Sequence, residues 1–427
     1  MKNNIFELYD STDRVWNKFS DDEIILEKGE SLPSLPPAPT TADEIEEEKK
    51  KKELQKNTSE NLTQKLKTAI QMPNIMVLAG SGTSLGPIVD GPSMGDLWNA
   101  CTIEDGKIFS ATDCFSECGY ETNIDGHDNI ELCLSHCEAY IQINPNNFKT
   151  KKFVEKSKEI ILNKCHFINN QETQLIGHKE FIRKLSRRKA KDPRIKLFTT
   201  NYDTCFESAA GKLGITVIDG FSFSFPRVYD PRFFDIDIVR RNQATSTNNP
   251  HYVEGVFQLF KLHGSTNWKR ENDHMIVQTD DVQAENSCMI FPAKGKYQQS
   301  YLQPHLELIS RFTQGLREPN TCLIIIGFGF NDDHLSEPIL SAITSNPHLK
   351  VIIVTPTIKA DIEKTSKNPS KYWEKFKYIS DTRKTDELIF INSDFQKFAN
   401  IIPDLNALSP AENLYETLNK AFGGNLG

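Results

Sequence analysis

Ile75-Met76-Val77-Leu78-Ala79-Gly80-Ser81-Gly82-Thr83-Ser84 is five apolar residues running without a break into a turn that holds two glycines. A short run with no polar alternation suits a strand buried on both faces. Upstream, Leu62, Leu66, Ala69 and Ile70 fall on one helical face and Pro73 ends the pattern. Downstream, similar runs occur at 195–199, 215–218, 257–262, 322–326, 351–354 and 388–391, several of them separated by helical stretches. Strands apolar throughout, alternating with amphipathic helices, predict an α/β fold: a Rossmann-like parallel sheet with helices on both faces. Its ligand site is expected at the carboxyl ends of the strands.

Around this core the chain divides unevenly. Residues 1–60 include the Pro-rich Leu32–Pro39 and the charged Asp43–Lys56, and read as an appendage. The catalytic domain is expected over 61–427, with a helical insertion at about 100–190, where Ile130, Leu134 and Cys137 share helical spacing. Phe153, Ile160, Ile161 and Leu162 do the same. A long loop at about 221–254, mixing Phe223, Phe225, Phe233 and Phe234 with four arginines, reads as a functional loop or lid.

Of 427 residues, 38% are hydrophobic and 25% charged, as in soluble globular proteins, and no apolar run is long enough to span a membrane. The formal charge of -8 gives the surface as a whole no reason to bind nucleic acid. Met1–Tyr9 carries neither a secretory nor a transit pattern, so a cytoplasmic location is expected. Nine scattered cysteines fit reduced, buried thiols. Cys114-x3-Cys118 and Cys133-x3-Cys137 lack the usual zinc spacing, and no metal is expected.

Four strand ends carry polar or glycine-rich loops. The first is Gly80–Ser84, able to turn tightly and offer amides to a phosphate. The second is Thr199-Thr200-Asn201-Tyr202-Asp203, and the third is Lys261-Leu262-His263-Gly264-Ser265. The fourth is Gly327-Phe328-Gly329-Phe330-Asn331-Asp332-Asp333-His334. Taken singly, each has a plain structural reading as turn, cap or core histidine. Their order is more specific.

That order resembles the sirtuin family over about residues 74–398. Sirtuins carry Gly-Ala-Gly-x-Ser, matched by Gly80–Ser84, and Thr-Gln-Asn-Ile-Asp, matched by Thr199–Asp203. Their catalytic His-Gly is matched by His263-Gly264, and their Gly-Thr-Ser loop by Gly327-Phe328-Gly329. Two features depart from deacylating members. Asp90–Asp96 replaces Gly-Ile-Pro-Asp-Phe-Arg, and only Cys288 and Cys322 follow His263, so the family's zinc site is missing there. The chain looks more like the divergent sirtuin-like domains of bacterial anti-phage systems, and most like the subunit that pairs with a HerA-type hexameric ATPase.

The resemblance implies NAD as substrate, hydrolysed to ADP-ribose and nicotinamide, with Asn201 and His263 catalytic. It places cofactor contacts at Ala79, Gly80, Ser81, Gly82, Thr83, Ser84, Thr200, Asp203, Gly327, Phe328, Gly329, Asn331, Asp332 and Thr355. A homo-oligomer, with nucleic acid reached only through the partner complex, is expected. Two rival readings are a non-catalytic sensor of NAD or ADP-ribose and an NAD-dependent protein deacylase.

Overall fold

The computed structural model describes residues 5–10, 15–20, 57, 59–86, 88–103, 109–122, 129–168, 174–186, 188, 192–240, 251–272, 275–293, 302–366 and 369–405. Its strands are β1 (Ile5–Asp10), β2 (Val15–Ser20), β3 (Asn74–Ala79), β4 (Ile195–Thr199), β5 (Thr216–Ile218), β6 (Val239–Arg240) and β7 (His251–Tyr252). They continue with β8 (Val256–Lys261), β9 (Gly264–Arg270), β10 (Ile276–Gln278), β11 (Ser287–Met289), β12 (Thr321–Ile326), β13 (Leu349–Val354) and β14 (Leu388–Asn392). Nine of them form one sheet in the order β2-β1-β14-β13-β12-β3-β4-β8-β5. From β14 to β5 every pairing is parallel. All seven apolar runs of the sequence are found here as these parallel strands.

Alternate residues of each strand serve opposite faces. Met76 and Leu78 join one apolar cluster with Leu308, Phe312, Leu335 and Trp373 from helices on that side. Ile75, Val77 and Ala79 join another with Leu62, Leu66, Phe181, Phe206 and Phe398. The chain leaves β3 toward β4 and β8 on one side and returns to β12, β13 and β14 on the other. The strand order therefore reverses between β3 and β12, where open α/β sheets place their ligands.

A hairpin finishes one edge. β1 runs antiparallel to both β2 and β14, with Glu7 opposite Asn392. Asn392 Nδ2 and Lys359 Nζ each donate to the Glu7 carboxylate at 2.9 Å, and Tyr9 Oη donates to Asp381 at 2.7 Å. The appendage expected over 1–60 is corrected for 5–10 and 15–20, which belong to the sheet. That expectation groups them with the Pro-rich and charged stretches that follow, although Ile5, Phe6, Leu8 and Tyr9 are apolar. The Pro-rich and charged stretches at 32–56 lie outside the described residues.

The insertion separates into two parts. Helices Met94–Thr102, Phe109–Cys118, Ile130–Ile143 and Phe148–Cys165 close around their own apolar cluster and form a small lobe. Ile176–Ser186 packs on the main sheet instead, which narrows the expected lobe of about 100–190 to 94–165. After His263 a three-stranded sheet, β10-β9-β11, bridges the two, since Trp268 and Cys288 enter the sheet's core while Met289 enters the lobe's. No described helix is long and apolar enough to cross a membrane.

Helix Ile176–Ser186 buries His178 completely between the rings of Phe206 and Phe395, 4.8 Å from each, with neither ring nitrogen hydrogen-bonded. Burial pushes its pKa down to about 4. The unfolded chain therefore takes up this proton first, and stability is lost as pH falls from about 6.5 toward 4, by on the order of 3 kcal/mol in full. Urea denaturation at pH 7 and pH 4.5 is expected to show His178→Leu more stable than wild type, with a flatter dependence on pH.

Candidate active site

At the reversal point two backbone turns meet with no side chain between them. Gly80 and Gly82 donate their amides to the carbonyls of Ile326 and Gly327, both at 2.9 Å. A Cβ on Gly82 would lie 2.6 Å from Gly327 Cα, and Gly327 itself holds a φ of +61°. Glycine is required here both for space and for the left-handed backbone. The expectation that this first loop cradles a phosphate with its amides is revised. Gly80, Gly82, Thr83 and Ser84 spend theirs on Ile326, Gly327, Gly80 and Ser81. The first turn is a packing device, and it faces the cavity through Ser81 and Ser84.

Beside it lies a cavity of about 240 Å³. Of the residues singled out in the sequence, Ser81, Ser84, Thr200, Asn201, Asp203, His263, Gly327, Phe328, Gly329, Asn331 and Asp332 line it. Ala79, Gly80, Gly82, Thr83 and Thr355 do not. Ala79 ends β3 and is wholly buried, while Thr355 pairs its hydroxyl with Thr357 at 3.2 Å beyond β13. The opposite wall comes from residues that motif order did not mark: Gly91, Met94, Leu97, Asn129, Glu131, Cys165, Phe167 and Pro292. Most belong to the helical lobe or its connections, so only the tertiary fold brings them here. No described residue of 221–254 lines the cavity, which corrects the lid reading for 221–240 and 251–254. Phe221 and Phe234 are instead core residues, with Phe234 stacked on Phe260 at 4.2 Å.

Asn201 is the most constrained group in the site. Thr83 gives its hydroxyl proton to Gly80 O at 2.9 Å, and Ser84 gives its own to Asp203 Oδ2 at 2.8 Å. Both hydroxyls are left with lone pairs, and Asn201 Nδ2 donates to each at 3.1 Å. The amide orientation follows from that arithmetic. Asn201 Oδ1 is consequently turned away, buried and without a protein hydrogen bond. Asp203 is fully used, accepting from Ser84 and, at 3.0 Å, from the amide of Cys205 at the start of helix Cys205–Leu213.

The same loop is clamped from behind. Lys261, only 2% exposed at the end of β8, donates through Nζ to the carbonyls of Tyr202 and Asp203 and pairs with Glu207 at 3.2 Å. Burial raises the Glu207 pKa, and Lys261 opposes that rise.

His263 is 3% exposed, and its Nε2 lies 3.2 Å from His334 Nε2, within reach of a hydrogen bond between the two rings. Gly264 follows with φ +82°, where a Cβ would sit 1.9 Å from Cys288 O. The His-Gly pair thus needs its glycine to let β11 pass. His334 was visible in the fourth motif but carried no assigned role. His263, His334 and Asp332 bring donor atoms within 4.8 Å of one another, a set able to hold a cation. The lining residues include the carboxylates of Glu131, Asp203 and Asp332 and no lysine or arginine.

The Lys261 clamp gives a direct test. Lys261→Met strands the Glu207 carboxylate, and because Glu207 keeps 21% of its side chain exposed, the expected loss is about 3 kcal/mol, at the low end for a broken buried pair. Chemical denaturation is expected to show part of it restored in Lys261→Met/Glu207→Gln.

Residues 196–379 match the family model described as the SIR2-like domain. A solved Sir2 homologue mutant–ADP ribose complex aligns at 12% identity over 85% of this chain and 98% of that chain, with a TM-score of 0.33. No curated protein matches the chain. Over residues 196–379, which hold Asn201, His263 and the second glycine turn but not the first, the chain is similar to the SIR2-like domain.

Proposed function

We propose that this chain is an NAD glycohydrolase that cleaves the bond between nicotinamide and ribose. The observation that carries the reading is the unpartnered, buried Asn201 Oδ1 in the same cavity as His263. An acceptor fixed in place by two hydroxyls is suited to hold a ribose hydroxyl or a water molecule. A neighbouring imidazole is suited to take the proton that such a group releases. The similarity of 196–379 to the SIR2-like domain supports NAD as the substrate class.

The residues also fit the charge of the reaction. Bound NAD supplies nicotinamide as a good leaving group, and positive charge develops on the ribose as the bond breaks. Glu131, Asp203 and Asp332 give the cavity a negative wall that favours such charge. Water adds its hydroxyl to the ribose carbon, its proton passes to His263, and nicotinamide departs neutral. His334 orients the His263 ring through the hydrogen bond between them. At about 240 Å³ the cavity falls below the roughly 300–1,000 Å³ usual for small-molecule sites. It suits the nicotinamide–ribose end, with the rest of a dinucleotide extending out through the cavity mouth.

The wider setting, an anti-phage effector that depletes NAD and works with a HerA-type ATPase as a homo-oligomer, rests on the motif resemblance alone. Purified wild type, alone and with that partner, is expected to release nicotinamide without any acyl-lysine peptide. Asn201→Ala and His263→Ala are each expected to lower turnover by about 100-fold or more. NAD that binds yet survives in every sample would make the protein a nucleotide sensor, and release only with an acyl-lysine peptide would make it a deacylase.

A further inference from the structure

The helical lobe holds a second cluster of chemistry, separate from the cavity. Cys114 and Cys118 stand one turn apart on helix Phe109–Cys118, and Cys133 and Cys137 one turn apart on helix Ile130–Ile143. An i, i+4 pair lies on one face of its helix. The two faces meet inside the lobe, where all four side chains are buried. The sulfurs of Cys114, Cys118 and Cys137 lie within 4.8 Å of one another, and Cys114 Sγ is 3.6 Å from Cys137 Sγ.

A tetrahedral zinc ion with bonds of about 2.3 Å sets its sulfurs about 3.8 Å apart. A disulfide needs about 2.05 Å. The observed 3.6 Å suits two ligands of one ion and excludes a bond between them. We infer that Cys114, Cys118, Cys133 and Cys137 form a closed tetrathiolate site for a structural zinc ion. Cys133, buried one turn before Cys137, has its sulfur outside the 4.8 Å group and would join as the fourth ligand by turning its side chain toward the ion.

A closed, all-sulfur set selects a soft or borderline cation and leaves no position for substrate. Each thiol gives up its proton on binding, so one zinc replaces four protons. His136 Nε2 meets the Cys118 carbonyl at 2.8 Å, a further tie between the same two helices beside the site. Such a staple would add to the lobe's own apolar cluster, which is smaller than either cluster of the main sheet. It would also hold Asn129 and Glu131, at the start of the second helix, against the cavity. The cysteine spacing escapes loop-based zinc patterns because the ligands project from helices.

Two measurements on the full-length protein decide the matter. Wild type purified in zinc-containing medium and then dialysed is expected to carry about one zinc per chain by elemental analysis, as are Cys101→Ser and Cys288→Ser. Cys114→Ser/Cys137→Ser is expected to carry almost none. Should that variant fail to fold, wild type titrated with an organomercurial beside a zinc-binding dye gives an independent readout, with one zinc released as four thiols react. A folded wild type without zinc overturns the site. So does a variant pair in which Cys114→Ser/Cys137→Ser keeps the metal and His334→Ala loses it, which would place the ion at His263, Asp332 and His334. A folded wild type without zinc leaves the NAD reading untouched, whereas an ion at His263 would occupy the proposed base.

Discussion

Backbone touching backbone between Gly80–Gly82 and Gly327 is the constraint from which the site follows. Two hydrogen bonds at 2.9 Å carry the β3–β12 pairing on into the turns beyond the strands. A side chain on Gly80, Gly82 or Gly327 would collide with main chain on the facing turn. Main chain has no rotamer with which to yield. The turns stay in contact only if all three positions remain bare, and the cavity opens beside that contact.

Polar groups then build upward from this floor. Thr83 and Ser84 leave the first turn with their protons already committed, and that commitment turns the Asn201 amide. Lys261 fixes the carbonyls that follow Asn201. A buried network with every member satisfied is rigid, and one unsatisfied atom within it is conspicuous. Here that atom is Asn201 Oδ1, in a residue that lines the cavity. An acceptor left in this state beside a cavity suits a site that takes a hydroxyl or water.

The sequence disclosed the parts whose physics is local. β3, β4, β8, β12, β13 and β14 are predominantly apolar because both faces are covered, and such runs are visible without a fold. The loops at Gly80, Asn201, His263 and Gly327 were legible because each directly follows one of those runs. What stayed hidden depends on distant partners. Ile5–Asp10 and Val15–Ser20 stand far from the other strands in sequence and show their place only when β1 lies beside β14. Phe167 and Pro292 look like unremarkable residues until the fold brings them to the cavity. The amides of Gly80 and Gly82 looked available to a phosphate, and only Ile326 and the turn after β12 show where they are spent.

The edge hairpin has a temporal side. Glu7 is tied to Asn392 across 385 positions, and Tyr9 to Asp381 across 372. Synthesis runs from the amino end, so β1 cannot dock on β14 until β14, far later in the chain, has emerged. Throughout translation the nascent hairpin must wait with Tyr9 and Trp16 lacking their final surroundings, while the parallel core between them assembles. A chain cut short before residue 388 would leave that hairpin without its berth. The sheet therefore closes on this side only after β14 has been made, once all of its parallel strands are present.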